Sequence, residues 1–166
     1  AVDSVLTLDI RGFAVTMPYK IEVLDYVDEM TDEVKDIGAA NTIINKECIL
    51  TAYNTDYLAA KEVLDECLGV DLYILGNGGY SKAVQKAAKD LGYNPNIITR
   101  NNWDTIKDIK DSIIYNCTPV ENIEVHESND FIDCIVSTPT GKRLSWIQAS
   151  YQFKLYTGMN LPIRSM

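Results

Sequence analysis

Lys20 closes the stretch GFAVTMPYK, residues 12–20, just after a proline-interrupted apolar run. A lysine in that place is either a solvated surface charge or an ammonium held in a cleft for proton chemistry. Lysine has a reference pKa of about 10.4, so it acts as a base only when desolvated or set beside another cation. Beside a carboxylate it favours the ammonium, which suits proton donation. Asp56 is a candidate partner: it stands in AYNTD where a helical pattern opens, and a helix N-terminus favours an ionised carboxylate.

A second constellation lies downstream. In LGNGGYSKA an apolar run meets Gly76, Gly78 and Gly79, then a helical pattern with Ser81 where a third glycine would complete the Gly-x-Gly-x-x-Gly spacing. Such a strand-turn-helix junction lets the backbone approach a pyrophosphate and points free N–H groups at it, and the same glycines can equally serve the bend alone. The next apolar run ends in ITRNN, with Arg100 and no acidic residue beside it. An acid there would bind a ribose 2′-hydroxyl, whereas arginine suits a 2′-phosphate, so Arg100 favours NADP over NAD unless it is a solvated cap.

Composition excludes several alternatives. The chain has 166 residues, 15 Lys and Arg against 24 Asp and Glu, and a net charge of −9. That balance argues against phosphate-backbone or anionic-membrane binding, which needs clustered cations. No apolar run approaches the roughly 20 residues of a membrane span, and the N-terminus has no basic segment leading into an apolar core, so the expectation is a cytoplasmic protein with no nucleic-acid and no membrane partner. Cys48, Cys67, Cys117 and Cys134 are widely spaced with His126 as the sole histidine, which predicts buried reduced thiols and no metal site. His126 falls in the polar run EVHESND and reads as a solvated loop residue.

Periodicity supplies the framework on which these groups would be mounted. Val2, Val5 and Leu6 have helical spacing, and GFAVTM reads as a strand. Pro18 suits the first turn of a helix carrying Ile21, Leu24 and Val27, and DEVKDIG is a short helix closed by Gly38. ANTIIN and CILTAYN are paired strands across a Lys46-Glu47 turn, and NTDYLAAKEVLDECLG is a helix. From VDLYIL onward the rhythm is strand, helix, strand, with NIITR, SIIYNCT and FIDCIV as buried parallel strands before a last helix, LSWIQASYQFKLYTG.

In this order the blocks resemble the shikimate dehydrogenase family, and more closely its shikimate dehydrogenase-like branch. GFAVTMPYK is similar to the family's Val-Thr-x-Pro-[Phe/Tyr]-Lys block, IGAANTI and AYNTD to its Gly-Ala-x-Asn-Thr and Asn-Thr-Asp blocks, LGNGGYSKA to its glycine turn, and WIQASYQFKLYTG to its Gln-Ala helix. The resemblance implies an α/β fold: a Rossmann-like parallel-sheet lobe with a reduced α/β substrate lobe. It assigns residues 1–58 to a partial substrate-binding lobe, 59–143 to an NADP-binding lobe and 144–166 to a C-terminal helix returning to the substrate lobe.

By motif position the resemblance makes Lys20 and Asp56 the catalytic pair, and Thr16, Asn41 and Gln148 substrate contacts. Gly76, Gly78, Gly79 and Ser81 fall on the pyrophosphate turn, Arg100 on the 2′-phosphate and Asn116, Cys117 and Thr118 beside the nicotinamide. The implied activity is NADP-dependent interconversion of shikimate, or a related cyclic hydroxy acid, and its 3-dehydro ketone. The family's N-terminal Ser-x-Ser unit has no counterpart here, and the stretch between IVSTPT and GKRLSW is short. A substrate lobe reduced in this way predicts exposed apolar surface and homo-oligomer formation. It also leaves a second reading, a dinucleotide-binding or regulatory relic without turnover.

Overall fold

A computed structural model describes residues 2–67 and 71–162. The chain divides into two compact units, residues 1–55 with 147–166, and residues 56–146.

In the first unit, α1 (Val2–Thr7) leads into β1 (Gly12–Ala14), followed by a 3₁₀ helix at Glu22–Tyr26, β2 (Glu29–Met30), α2 (Asp32–Ile37), β3 (Thr42–Lys46) and β4 (Ile49–Tyr53). The sheet order is β1-β3-β4-β2, with β1 and β4 antiparallel to β3 and β2 parallel to β4. Val5, Val23, Val34, Ala40, Ile43, Leu50 and Ala52 form its core. Gly38 ends α2 in the left-handed conformation, φ 68°, and returns its N–H to the Val34 carbonyl.

The segment after Pro18 departs from expectation. No α-helix starts at Pro18: Tyr19 N–H closes a turn onto the Thr16 carbonyl at 2.9 Å, and the Met17–Pro18 peptide is cis. The chain forms the short 3₁₀ helix, which cannot run past Val27 because Asp28 is paired with β4: its N–H donates to the Leu50 carbonyl at 2.9 Å, and its Oδ2 accepts Leu50 N–H at 2.8 Å. Cys48 also departs: the hairpin turn is Glu47-Cys48, both with positive φ, which leaves this thiol exposed. The other three cysteines are free and half-buried.

In the second unit, α3 (Thr55–Asp65) leads to β5 (Leu72–Leu75), α4 (Gly79–Asp90), β6 (Asn96–Ile98), a 3₁₀ segment at Arg100–Asp108, β7 (Ile113–Asn116) and β8 (Asp130–Asp133). The predicted inward side of α3 is buried at Tyr57, Ala60 and Leu64; the helix ends at Asp65, short of half-buried Cys67, and Leu68 lies outside the described residues. All pairings are parallel, in the order β6-β5-β7-β8. The continuous apolar runs exist because both faces are covered: Ile74, Leu75, Ile113 and Ile114 are fully buried, each contributing roughly 1.5–3 kcal/mol. The last helix, α5 (Pro139–Thr157), starts earlier than its apolar pattern suggests, and Gly158 closes it at φ 73°. Among the described residues no helix is long and apolar enough to cross a membrane, and no cluster of His, Cys, Asp and Glu could hold a metal.

Candidate functional site

In the first unit, backbone pairing gathers three of the predicted residues. Val15 N–H donates to the Asn41 carbonyl and Ala40 N–H to the Lys20 carbonyl, both at 2.8 Å, so Thr16 and Lys20 lie at either side of the Ala40-Asn41 peptide. Thr16 is exposed and Lys20 half-buried. Asn41 is buried, and its amide is engaged. Oδ1 accepts Thr55 N–H at 2.8 Å and the Thr42 hydroxyl at 2.9 Å, while Nδ2 donates to Thr55 Oγ1 at 3.0 Å. Asn41 thereby ties down the first residue of α3, next to Asp56.

Gln148 sits half-buried on α5. One turn further on, Gln152 makes the contacts: its Nε2 donates to Thr42 Oγ1 at 2.9 Å and to the Asn41 carbonyl at 3.3 Å. Motif matching missed it. The available signal was an amide four residues after Gln148, which a helix places on the same face.

In the second unit, the predicted turn lies at the carboxyl edge of the parallel sheet. Gly76 has φ 98°, and a Cβ added to it would stand 2.9 Å from Thr118 Cγ2, so the bend itself requires glycine. Gly78 and Gly79 are different: a Cβ at either meets nothing within 4 Å. Gly78 caps α4 with no side-chain bond, and α4 has no acidic residue in its first turn. The first-turn N–H groups of a helix have no acceptor inside it. Ser81 faces inward, its hydroxyl donating to the Gly76 carbonyl at 2.8 Å and accepting from Gln85 Nε2 at 3.0 Å. Its side chain braces the turn.

Gly76 N–H donates to the Ile98 carbonyl at 2.7 Å, which brings the glycine turn alongside the end of β6, where Arg100 is exposed. At the end of β7, Asn116 is fully buried. Its Nδ2 donates to Asp133 Oδ1 at 3.0 Å, and its Oδ1 accepts the Thr118 N–H and hydroxyl at 2.9 and 2.7 Å. These side chains hold the strand end in shape.

Asp56 is buried, with its charge felt among the groups at this edge. Tyr115 is pushed well above the usual tyrosine range, by burial first, then by Cys117, with Asp56 contributing. Tyr80 is raised in the same way, by burial, then Tyr115, and more weakly Asp56; the two hydroxyls stand 3.0 Å apart. Burial also raises Cys117, and it raises Cys134 to about 11. Lys20 and Asp56 fall in different units. His126 is exposed, its Nδ1 accepting Ser128 N–H at 3.2 Å within a local turn.

Known proteins are similar to this chain. Residues 1–43 match the shikimate dehydrogenase substrate binding domain. A curated relative, shikimate dehydrogenase (NADP(+)) of Clostridium beijerinckii, is 31% identical over 191 aligned positions that cover 96% of this chain and 70% of the relative. The chain belongs to the shikimate dehydrogenase family. The C. beijerinckii alignment is longer than the 166-residue chain, so that member of the family carries residues absent here. The enzyme of the same name from Caldanaerobacter subterraneus subsp. tengcongensis is 34% identical over 83% of this chain and 52% of its own length. Across most of these curated relatives the chain spans about half of their length or less. The solved structure of a shikimate 5-dehydrogenase-like protein superposes with a TM-score of 0.83 at 25% identity, covering 97% of this chain and 77% of that one. The fold is thus α/β, a Rossmann-like lobe with a substrate lobe.

Proposed function

We propose that this chain is an NADP-dependent oxidoreductase that interconverts shikimate, or a related cyclic hydroxy acid, and its 3-dehydro ketone. The observation that carries the reading is the carboxyl edge of the parallel sheet. An uncapped helix N-terminus behind an open glycine turn lies beside the strand end bearing Arg100. The curated relatives named shikimate dehydrogenase (NADP(+)) support the same reading.

These residues fit a dinucleotide. The N–H groups from Gly78 to Ser81 suit a pyrophosphate, which needs backbone approach and a helix N-terminus. Arg100 suits a ribose 2′-phosphate, where its planar guanidinium binds in bidentate fashion. Bound NADP would supply the hydride acceptor or donor. The chain's own residues do the rest. Lys20 exchanges the hydroxyl proton, with Asp56 as its carboxylate partner. Thr16, Asn41 through Nδ2, and Gln148 bind the hydroxyls of the ring. Asn116 and Thr118 keep the end of β7 in shape for the nicotinamide. Self-association of the chain belongs to the same proposal and would be read by sedimentation.

The test follows NADPH formation by absorbance with shikimate and NADP+, alongside the Lys20→Ala protein. Turnover is expected in the parent, falling by about 10²–10⁴-fold in the variant, the usual worth of a positioned acid or base. NADP+ affinity should be unchanged. A parent that binds NADP+ without turnover would overturn the oxidoreductase reading in favour of a nucleotide-binding relic.

A further inference from the structure

We infer that Gln152, acting through Thr42, is a positioning residue for Asn41 that, together with the Thr55 N–H, holds the Nδ2 edge of the Asn41 amide toward a substrate hydroxyl. The inference rests on the proposal that Asn41 binds substrate. Its own warrant is a hydrogen-bond chain with a defined direction, running from α5 to the first residue of α3.

An asparagine amide can be seated two ways, with Oδ1 and Nδ2 exchanged. Next to a threonine hydroxyl both seatings can be satisfied, because a hydroxyl donates or accepts as needed. At Asn41 the Thr55 N–H, which can only donate, already calls for Oδ1, and Gln152 removes the remaining freedom of the Thr42 hydroxyl. Its Nε2 donates into Thr42 Oγ1 at 2.9 Å, so the Thr42 proton is directed onward to Asn41 Oδ1, also at 2.9 Å. The same Oδ1 accepts Thr55 N–H at 2.8 Å.

Reversing the amide would set Nδ2 against the Thr55 N–H. It would also ask Thr42 Oγ1 to accept from two donors, leaving its own proton without a partner. Leaving such groups unpaired is unfavourable, since Thr42 and Thr55 are both fully buried. In the observed seating Thr55 Oγ1 accepts from Nδ2 at 3.0 Å and donates to Oδ1 at 3.2 Å, and on the proposed reading the second Nδ2 proton meets the substrate. Gln152 also donates to the Asn41 carbonyl at 3.3 Å, the acceptor of Val15 N–H beside Thr16. Gln148 takes no part in this chain of bonds. A glutamate at 152 would reverse it, because a carboxylate accepts and would draw the Thr42 proton away from Asn41.

The experiment uses the full chain and the variants Gln152→Met, Gln152→Glu and Thr42→Val. In each, KM for shikimate should rise about tenfold, equivalent to one net hydrogen bond. KM for NADP+ and kcat should stay within about two- to threefold of the parent, a split that general loosening of the unit would not produce. Gln152→Met combined with Thr42→Val should be no worse than either alone, since both cut the same chain.

A second readout needs no turnover. The Asn41 side-chain amide protons, assigned by their loss in Asn41→Ser, should exchange with water about tenfold faster in Gln152→Met. An unchanged shikimate KM, equal movement of both KM values, or an additive double variant would overturn the inference. A parent without turnover would overturn the oxidoreductase reading alone; the amide exchange then decides the relay, and unchanged exchange rejects it.

Discussion

The two units handle their chemistry-bearing residues in opposite ways. In the first, the side chain that matters most, Asn41, is buried and bonded to Thr42 and Thr55, so its geometry is set by interior hydrogen bonds. In the second, the side chains turn inward, Ser81 to the Gly76 carbonyl and Asn116 to Asp133, while the space beside Gly78 and Gly79 is left open. On the proposed reading, one unit presents a side chain and the other a stretch of main chain. The lesson is that a buried polar residue and an open glycine can both be functional, provided each one's hydrogen bonds are accounted for.

The sharpest way to break this contrast is at Asn41. Asn41→Ala leaves Thr55 N–H and two threonine hydroxyls without their partner. Urea denaturation should report a loss of about 3 kcal/mol, in the range for several unsatisfied buried groups. A loss under about 1 kcal/mol would mean that water replaces the amide, and that the first unit is not held as described.

The glycine turn offers a contrast between neighbours. Gly76→Ala should destabilise by about 1–3 kcal/mol, because its backbone is left-handed and its Cβ would strike Thr118. Gly78→Ala should change stability by no more than about 0.5 kcal/mol, having an ordinary φ of −85° and no obstructing neighbour. Its expected cost is in NADP+ affinity, at least about tenfold by calorimetric titration, since a methyl group stands where a phosphate would approach. Equal effects at the two positions would erase the distinction between a glycine for the bend and a glycine for the ligand.

The smallest effect is in pH. Burial raises Tyr80, Tyr115, Cys117 and Cys134 above their ordinary values. Groups raised in this way favour the folded state while neutral. Their contribution is complete below the unfolded values of 9.0 for thiols and 10.0 for tyrosines, and it is lost as pH rises because the unfolded chain releases those protons first. The urea midpoint should therefore fall between about pH 8.5 and 10.5, and Tyr115→Phe should flatten that slope. A flat profile in the parent would show these groups to be better hydrated than their burial implies.

Where periodicity and turn chemistry agreed, the sequence was enough. The runs VDLYIL, NIITR, SIIYNCT and FIDCIV became strands of one parallel sheet, and Gly38 and Gly158 ended helices as expected. The spacing of Ile21, Leu24 and Val27 misled, because apolar residues three apart fit either helix type. The end of the helix was set by Asp28 pairing with Leu50, 22 residues away. The contacts of Gln152 were hidden for a related reason, although its place four residues after Gln148 was legible. Its partners Asn41 and Thr42 lie 111 and 110 residues earlier in the chain, and no local spacing encodes such a contact.

The sequence alone therefore determined the order of elements, the glycine turn, the family and the candidate residues, since these rest on residue type and on spacing within a few positions. Tertiary structure decided which polar groups are already spent on holding the protein together and which are left to meet a ligand. That division depends on hydrogen bonds closed between residues far apart in the chain, which exist only once the burial of apolar surface has brought them within about 3 Å.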